Sequence, residues 1–354
     1  DWLLDGSSAS HDIEVGFRYH EDEEDRLQRS DKYTQIDQTL ILDSIGVTGG
    51  NKNNRVVQAE ALAIYIKDDI AFGDFIVTPG VRFEDIKLER RDWSTLPRNT
   101  TPSLKQNSVT AVLPSIGVLY NVNDNLSLLA GAYNGFGTPT TTSGVDEEQA
   151  LNVELGGRYQ QADLMIELIA FTSDYENLVG ECTASSSTSD CDIGDQFNGG
   201  QATVRGLEFQ LTNSFQLTDS TTMPVSIAYT YTDAEFDSTF DGEFFGDVSK
   251  GDPIPYIPEN QVALALGLEN GPYSINANLN YVDAVCVKAS CVDFEKTDDS
   301  TVLNLVGNYQ VNDNLGVYLR LENITDEADI IARQPKGARP NKARSATLGM
   351  RLVF

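Results

Sequence analysis

The sequence predicts an all-β chain, an antiparallel transmembrane β-barrel with short periplasmic turns and long extracellular loops. Three observations carry this expectation. Apolar and polar residues alternate with period 2 in one run after another, with no helical segment between the runs. The connections alternate short and long, which sends every long loop to the same end of the sheet. Outer-membrane barrels are built this way, whereas sandwiches and Greek keys do not enforce it. Finally, no stretch approaches the roughly 20 apolar residues of a membrane-spanning helix. A barrel strand shows lipid only alternate residues and so tolerates the mean hydropathy of -0.28 found here.

In chain order, about 14 strands are expected. They fall near residues 11–20, 56–71, 74–92, 108–122, 125–136, 150–161, 163–175, 201–216, 223–236, 258–269, 272–285, 300–311, 315–324 and 343–354. Crossing a bilayer takes about 9–11 residues, and 74–92 shows where the excess goes. Phe75, Val77, Val81 and Phe83 form a lipid-facing row, which Asp85, Lys87 and Glu89 then continue, so the strand leaves the membrane near Phe83. In 150–161, Leu151, Val153, Leu155 and Tyr159 oppose Asn152, Glu154, Arg158 and Gln160. In 223–236, Val225, Ile227, Tyr229 and Tyr231 oppose Ser226, Ala228, Thr230 and Thr232. In 272–285, Tyr273, Ile275, Ala277, Leu279 and Tyr281 oppose Ser274, Asn276, Asn278 and Asn280. The last strand sets Ala346, Leu348, Met350, Leu352 and Phe354 against Thr347, Gly349, Arg351 and Val353.

Tight-turn residues close the short connections: Phe72-Gly73, Asn123-Asp124, Gln161-Ala162, Asn270-Gly271 and Asn312-Asp313-Asn314. The long connections span roughly 21–55, 93–107, 137–149, 176–200, 237–257, 286–299 and 325–342. Tyr19, Tyr120, Tyr159, Tyr175 and Tyr309, near strand ends, suit an aromatic girdle.

The 354 residues include 54 acidic and 25 basic side chains, a net charge of -29. A nucleic-acid partner calls for the opposite balance. The acid runs Glu21–Asp25 and Asp146–Glu148 read as solvated loops. The cysteines form two local pairs, Cys182/Cys191 and Cys286/Cys291, each within a polar long loop, which predicts two disulfides. Zinc is disfavoured, because neither pair has C-x-x-C spacing and His11 and His20 lie far away in sequence. No metal site, no cofactor and no enzyme is expected, since G-x-S-x-G, H-E-x-x-H and P-loop motifs are missing.

Two regions resemble TonB-dependent outer-membrane receptors. One is Leu319-Arg-Leu-Glu-Asn-Ile-Thr-Asp-Glu327, followed by Pro335-Lys-Gly-Ala-Arg-Pro340 and the strand Ala343–Phe354. It is similar to that family's ending: an acidic turn, a basic G-x-x-P loop and a final strand. The family often places an aromatic residue after the acidic turn, where this chain has Ala328-Asp329-Ile330. The other region comprises His11–Arg26, Glu60–Asp68 and Val77–Glu84, with Leu151–Tyr159, and resembles mid-barrel strands of the ferric-citrate-receptor branch.

The resemblance implies a 22-stranded barrel around an N-terminal plug, of which residues 1–354 would be the C-terminal portion. Phe354 would then be the terminal aromatic that the barrel-assembly machinery reads. Residues 1–354 contain nothing resembling the plug, the TonB box or a signal peptide, so the N-terminal part of the receptor is expected to lie upstream of Asp1. The implied function is import of a ferric siderophore or ferric citrate, energised by TonB, across an outer membrane. Such a ligand calls for guanidinium groups converging on its oxygens. The long-loop candidates are Arg26, Arg29, Arg55, Arg90, Arg91, Arg98, Arg333 and Arg339. The strong overall acidity opposes long-range attraction of an anionic chelate. The competing readings are a complete 14-stranded passive channel or fatty-acid-type transporter, and an adhesive surface barrel.

Overall fold

The structure, a computed structural model, describes residues 2–6, 8–46, 53–94, 98–141, 144–181, 196–242, 245–333 and 337–353. Its centre is one 15-stranded antiparallel meander in which sequence neighbours are sheet neighbours. The strands are β1 (Trp2–Asp5), β2 (Ser10–Gln28), β3 (Asn53–Phe72), β4 (Phe75–Asp92), β5 (Ser103–Asn123) and β6 (Leu126–Gly137). Then follow β7 (Glu148–Gln161), β8 (Leu164–Glu176), β9 (Ala202–Thr218), β10 (Thr221–Phe236) and β11 (Asn260–Asn270). The last four are β12 (Tyr273–Val282), β13 (Ser300–Asn312), β14 (Leu315–Glu322) and β15 (Ser345–Leu352). β2 to β15 are the expected strands, and β1 is the addition. Among the described residues, β1 and β15 are the two outer strands of the sheet.

Register separates the two faces. Phe17, Ile64, Phe83 and Val112 lie side by side across β2–β5, as do Val15, Ile66, Val81 and Pro114. These rows are exposed, as a lipid-facing belt must be. The belt ends at the turn side in stacked rings. Phe75 lies 4.4 Å from Tyr120 and 5.7 Å from Phe72, and Tyr273 lies 4.7 Å from Tyr309 (ring centroids). Amphipathic rings favour that depth. Tyr175 departs from the expected girdle. It pairs with Ala150 and Ala202 on the opposite face and packs against a loop core.

Above Phe83 the outer face turns polar. The next rows are Tyr19, Leu62, Asp85 and Thr110, then Glu21, Glu60, Lys87 and Ser108, then Glu23, Gln58, Glu89 and Gln106. Glu21–Asp25 is therefore strand, not the solvated loop the composition suggested. Alternation sends Glu21, Glu23 and Asp25 outward and Asp22 and Glu24 inward, so like charges do not crowd one face. The 20-residue β3 supplies backbone partners along the whole run.

The inner face is polar and partly self-paired. Lys67 meets Glu14 at 3.1 Å and Asp69 at 3.5 Å, and the Thr78 hydroxyl donates to Asp69 at 2.6 Å. The Tyr65 ring lies over Gly16, where an added Cβ would fall 2.0 Å from the ring, and its hydroxyl donates to Glu14.

Side-chain oxygens build two of the turns in the same way. Asn123 Oδ1 accepts Asn125 N–H and Leu126 N–H at 2.9 and 3.0 Å, and Asn312 Oδ1 accepts Asn314 N–H and Leu315 N–H at 3.0 Å each. Between β9 and β12 the long loops share a small core of Ala202, Phe236, Phe245, Val248 and Ala289. Phe236 is fully buried and meets Phe240 and Phe245 edge-on at 5.5 and 5.1 Å. Cys286 and Cys291 form the expected disulfide, with Cα atoms 5.0 Å apart. Cys182, Cys191 and Phe354 lie outside the described residues.

Candidate functional site

The candidate arginines divide into groups that their sequence positions did not announce. Arg26, Arg55, Arg90 and Arg91 stand on strands, not loops, because β2–β5 continue well past the belt. Parity then sorts them. Arg26, Arg55, Asp92 and Ser103 form one row on the inner face, and Glu24, Val57, Arg90 and Lys105 form the row below it. Arg91 has the opposite parity, donates to Gln58 and lies 3.3 Å from Glu89 on the outer face.

The two inner rows hold four cations and two carboxylates. Arg26 reaches Glu24 at 2.9 Å and Arg90 reaches Asp92 at 2.8 Å. Arg55 is the least satisfied: its side chain is 12% exposed and its nearest carboxylate, Glu24, is 4.0 Å away. Its buried Nε has no hydrogen-bond partner. Burial pushes the Arg55 pKa down, and the positive charges of Arg90 and Arg26 push it further. A buried donor aimed at no acceptor is costly to maintain, and here several donors of one sign converge.

Arg98 has a different task. Its guanidinium makes a two-pronged contact with Asp25 at 2.9 and 2.7 Å, and its Nε donates to Asn54 Oδ1 at 2.7 Å. It also lies 4.9 Å from the Trp93 ring, so it clamps the β4–β5 loop onto β2 and β3. Hydrogen bonding to Arg98 lowers the Asp25 pKa, and the same bond raises that of Arg98. Arg29 is exposed just past β2. Arg333 and Arg339 belong to the β14–β15 loop at the other end of the strand order. Arg333 N–H donates to the Tyr256 hydroxyl oxygen at 3.3 Å, and its guanidinium lies 5.2 Å from the exposed Phe294 ring. Arg339 pairs with Ala332 in a small hairpin.

Lys105 and Asp92 were not marked by the sequence, and Glu24 was marked only as part of an acid run. Residues 103–108 show no apolar alternation, so nothing marked them as strand or gave their parity.

One more loop shapes the site. β6 leaves β5 after Ser115 pairs with Tyr133, and the described loop residues 138–141 and 144–147 pack against the inner face. There Asn107 Nδ2 donates to Thr140 O at 3.3 Å and to Val145 O at 3.0 Å. Thr141 and Val145 are buried, as are Ile86, Val109 and Ala111 on β4 and β5. The cationic rows thus lie next to the part of the inner face on which this loop packs.

Both sheet and sequence define a class, the TonB-dependent receptors. The family model "TonB dependent receptor-like, beta-barrel" matches residues 2–324, and the chain belongs to that family. Among relatives, it is 25% identical over 290 residues to the metal-pseudopaline receptor CntO of Pseudomonas aeruginosa, covering 78% of this chain and 38% of that receptor. Among solved structures, it superposes on the unliganded ferric citrate transporter FecA with a TM-score of 0.75 at 20% identity, covering 98% of this chain and 52% of FecA. On the siderophore receptor PiuA of Acinetobacter baumannii the TM-score is 0.76 at 18% identity, covering 99% and 54%. The chain thus spans less than two thirds of the length of each.

Proposed function

We propose that this chain is part of the wall of an outer-membrane receptor of a Gram-negative bacterium that imports a metal chelate with energy supplied through TonB. A ferric siderophore or ferric citrate is the ligand class, and its anionic oxygens would be taken by the inner-face cations centred on Arg55. The observation that carries this is the reversal of local charge: four cations beside two carboxylates, in a chain of net charge -29. An under-paired guanidinium in a half-dry site gains more from a carboxylate or hydroxamate oxygen than one already paired in solvent. Family membership supports the transport reading, and likeness to receptors named for ferric citrate, siderophores and metal-pseudopaline supports a chelated metal.

The test is equilibrium binding to the full-length receptor. Arg55→Ala should weaken binding of ferric citrate or a ferric siderophore about tenfold or more, while Arg29→Ala should change it little. Equal affinities for wild type and Arg55→Ala would remove the site. Binding of cobalamin or an oligosaccharide but no iron chelate would remove the ligand class.

A further inference from the structure

We propose that the long-loop half of β5 is a docking edge for an extended, basic segment of a partner polypeptide, which adds to the sheet as one more strand. β5 pairs with β4 from Ser103 to Tyr120, but with β6 only from Ser115 to Asn123. Among the described residues, 103–114 therefore have a sheet neighbour on one side only. β1 and β15 are the strands at the limits of the sheet, whereas this notch is internal to the meander and arises because β6 departs early.

The backbone direction follows from Ser108. Its N–H donates to its own neighbour, Asn107 Oδ1, at 3.0 Å rather than across the ladder to β4. In an antiparallel strand the N–H and C=O of alternate residues point the same way. Gln106, Thr110 and Val112 accordingly present their backbone groups to the notch. Pro114 shares that parity and sits where a missing N–H costs nothing. Natural edges are blunted by charge, proline, bulges or a covering loop. Here proline closes only the base and Asn107 caps a single donor. The open stretch runs roughly 35 Å along the strand, rising from Val112 in the uppermost apolar row.

Charge selects the partner. Outside β5, the rows above Val112 carry Glu21, Glu23, Asp25, Glu60, Asp85 and Glu89, against Lys87 and Arg91 in the same rows and Arg98, which is taken up by Asp25. A cavity of about 500 Å³ opens among Gln58, Glu60, Lys87, Glu89, Gln106 and Ser108. Gln106 and Thr110 already donate to Glu89 and Asp85, at 2.8 and 3.4 Å. The remaining carboxylate lone pairs suit lysine or arginine on alternate positions of an added strand, whose main chain would use the open ladder.

The experiment uses the full-length receptor in nanodiscs and the peptide acetyl-Lys-Thr-Lys-Thr-Lys-Thr-Lys-amide. Saturating peptide should slow amide hydrogen exchange at Gln106, Thr110 and Val112. A Glu-for-Lys peptide, a peptide with proline at its centre, and the receptor variant Thr110→Pro should each lose about tenfold or more in affinity. Asp85→Asn combined with Glu89→Gln, which leaves the backbone alone, should also weaken binding. Unchanged exchange at the edge, or equal binding of the proline peptide, would overturn the proposal, as would failure of the lysine peptide to bind. Self-association of the receptor that Thr110→Pro abolishes would assign the edge to a second copy and overturn it equally.

Discussion

At the scale of single residues, long-range and short-range charge act in opposite directions. On the proposed function, the net -29 would repel an anionic chelate during approach, while Arg26, Arg55, Arg90 and Lys105 would attract it once it is near. At about 0.15 M salt the screening length is about 8 Å, so the far field is damped more than the contact. Association of ferric citrate with the full-length receptor, followed by stopped flow, should therefore speed up between about 0.01 and 0.15 M salt; slower association would contradict this balance. The Arg98 clamp has its own signature. Asp25 has a depressed pKa in the folded protein, so the stability it lends is present above the unfolded value of about 3.9. That stability is lost as pH falls through the lower folded value. Amide exchange around Trp93 and Arg98 should be slow above about pH 4 and quicken on further acidification, and Asp25→Asn should remove the pH dependence. The sequence made the arginines visible as candidates but not their grouping. Whether Arg90 or Arg91 lies on the inner face depends on strand parity, and 103–108 carries no alternation from which Lys105 could be placed.

At the scale of elements, the readable parts were those whose chemistry is local. Val122-Asn-Asp-Asn-Leu126 recurs as Val311-Asn-Asp-Asn-Leu315, and both fold into the same side-chain-capped turn with the same register shift. The acid run in β2 was misread because a strand that has left the bilayer obeys no hydropathy rule, and its pairing with β3 is a distant fact. The family's acidic turn gains a physical meaning from Asn323, only 2% exposed. Its Nδ2 donates to Glu327 O at 2.8 Å and to Lys342 O at 2.9 Å, while Oδ1 accepts Glu327 N–H at 3.1 Å. This one side chain ties both ends of the β14–β15 loop. Asn323→Ala should cost about 2–3 kcal/mol, since it strands buried partners, and should open the loop to limited proteolysis. A variant as protease-resistant as wild type would refute the hub. In the same spirit, Cys286→Ser should loosen the loop between β12 and β13 without altering the β-sheet content seen by circular dichroism.

At the scale of the molecule, the outer surface is a belt below and a charged wall above, with Phe83 at the border. Val81→Arg, inside the belt, should destabilise the folded barrel by up to about 2–4 kcal/mol, and Glu89→Arg, above it, by close to nothing. Refolding titrations into lipid vesicles measure both, and equal costs would misplace the border. The meander, its one-sided loops and its lipid-facing rows were legible in the sequence because period-2 alternation repeats in strand after strand. The inward packing of Thr140 and Val145 on Asn107, and the notch beside β5, were not, because they depend on where β6 parts from β5. Energised import of a metal chelate is the function proposed for the full-length receptor. It is tested most directly by uptake of radiolabelled ferric citrate and ferric siderophores into cells expressing the full-length protein, with and without TonB. Accumulation that requires TonB and falls sharply in Arg55→Ala is the predicted result. Uptake that persists without TonB, or no uptake of any metal chelate, would contradict it.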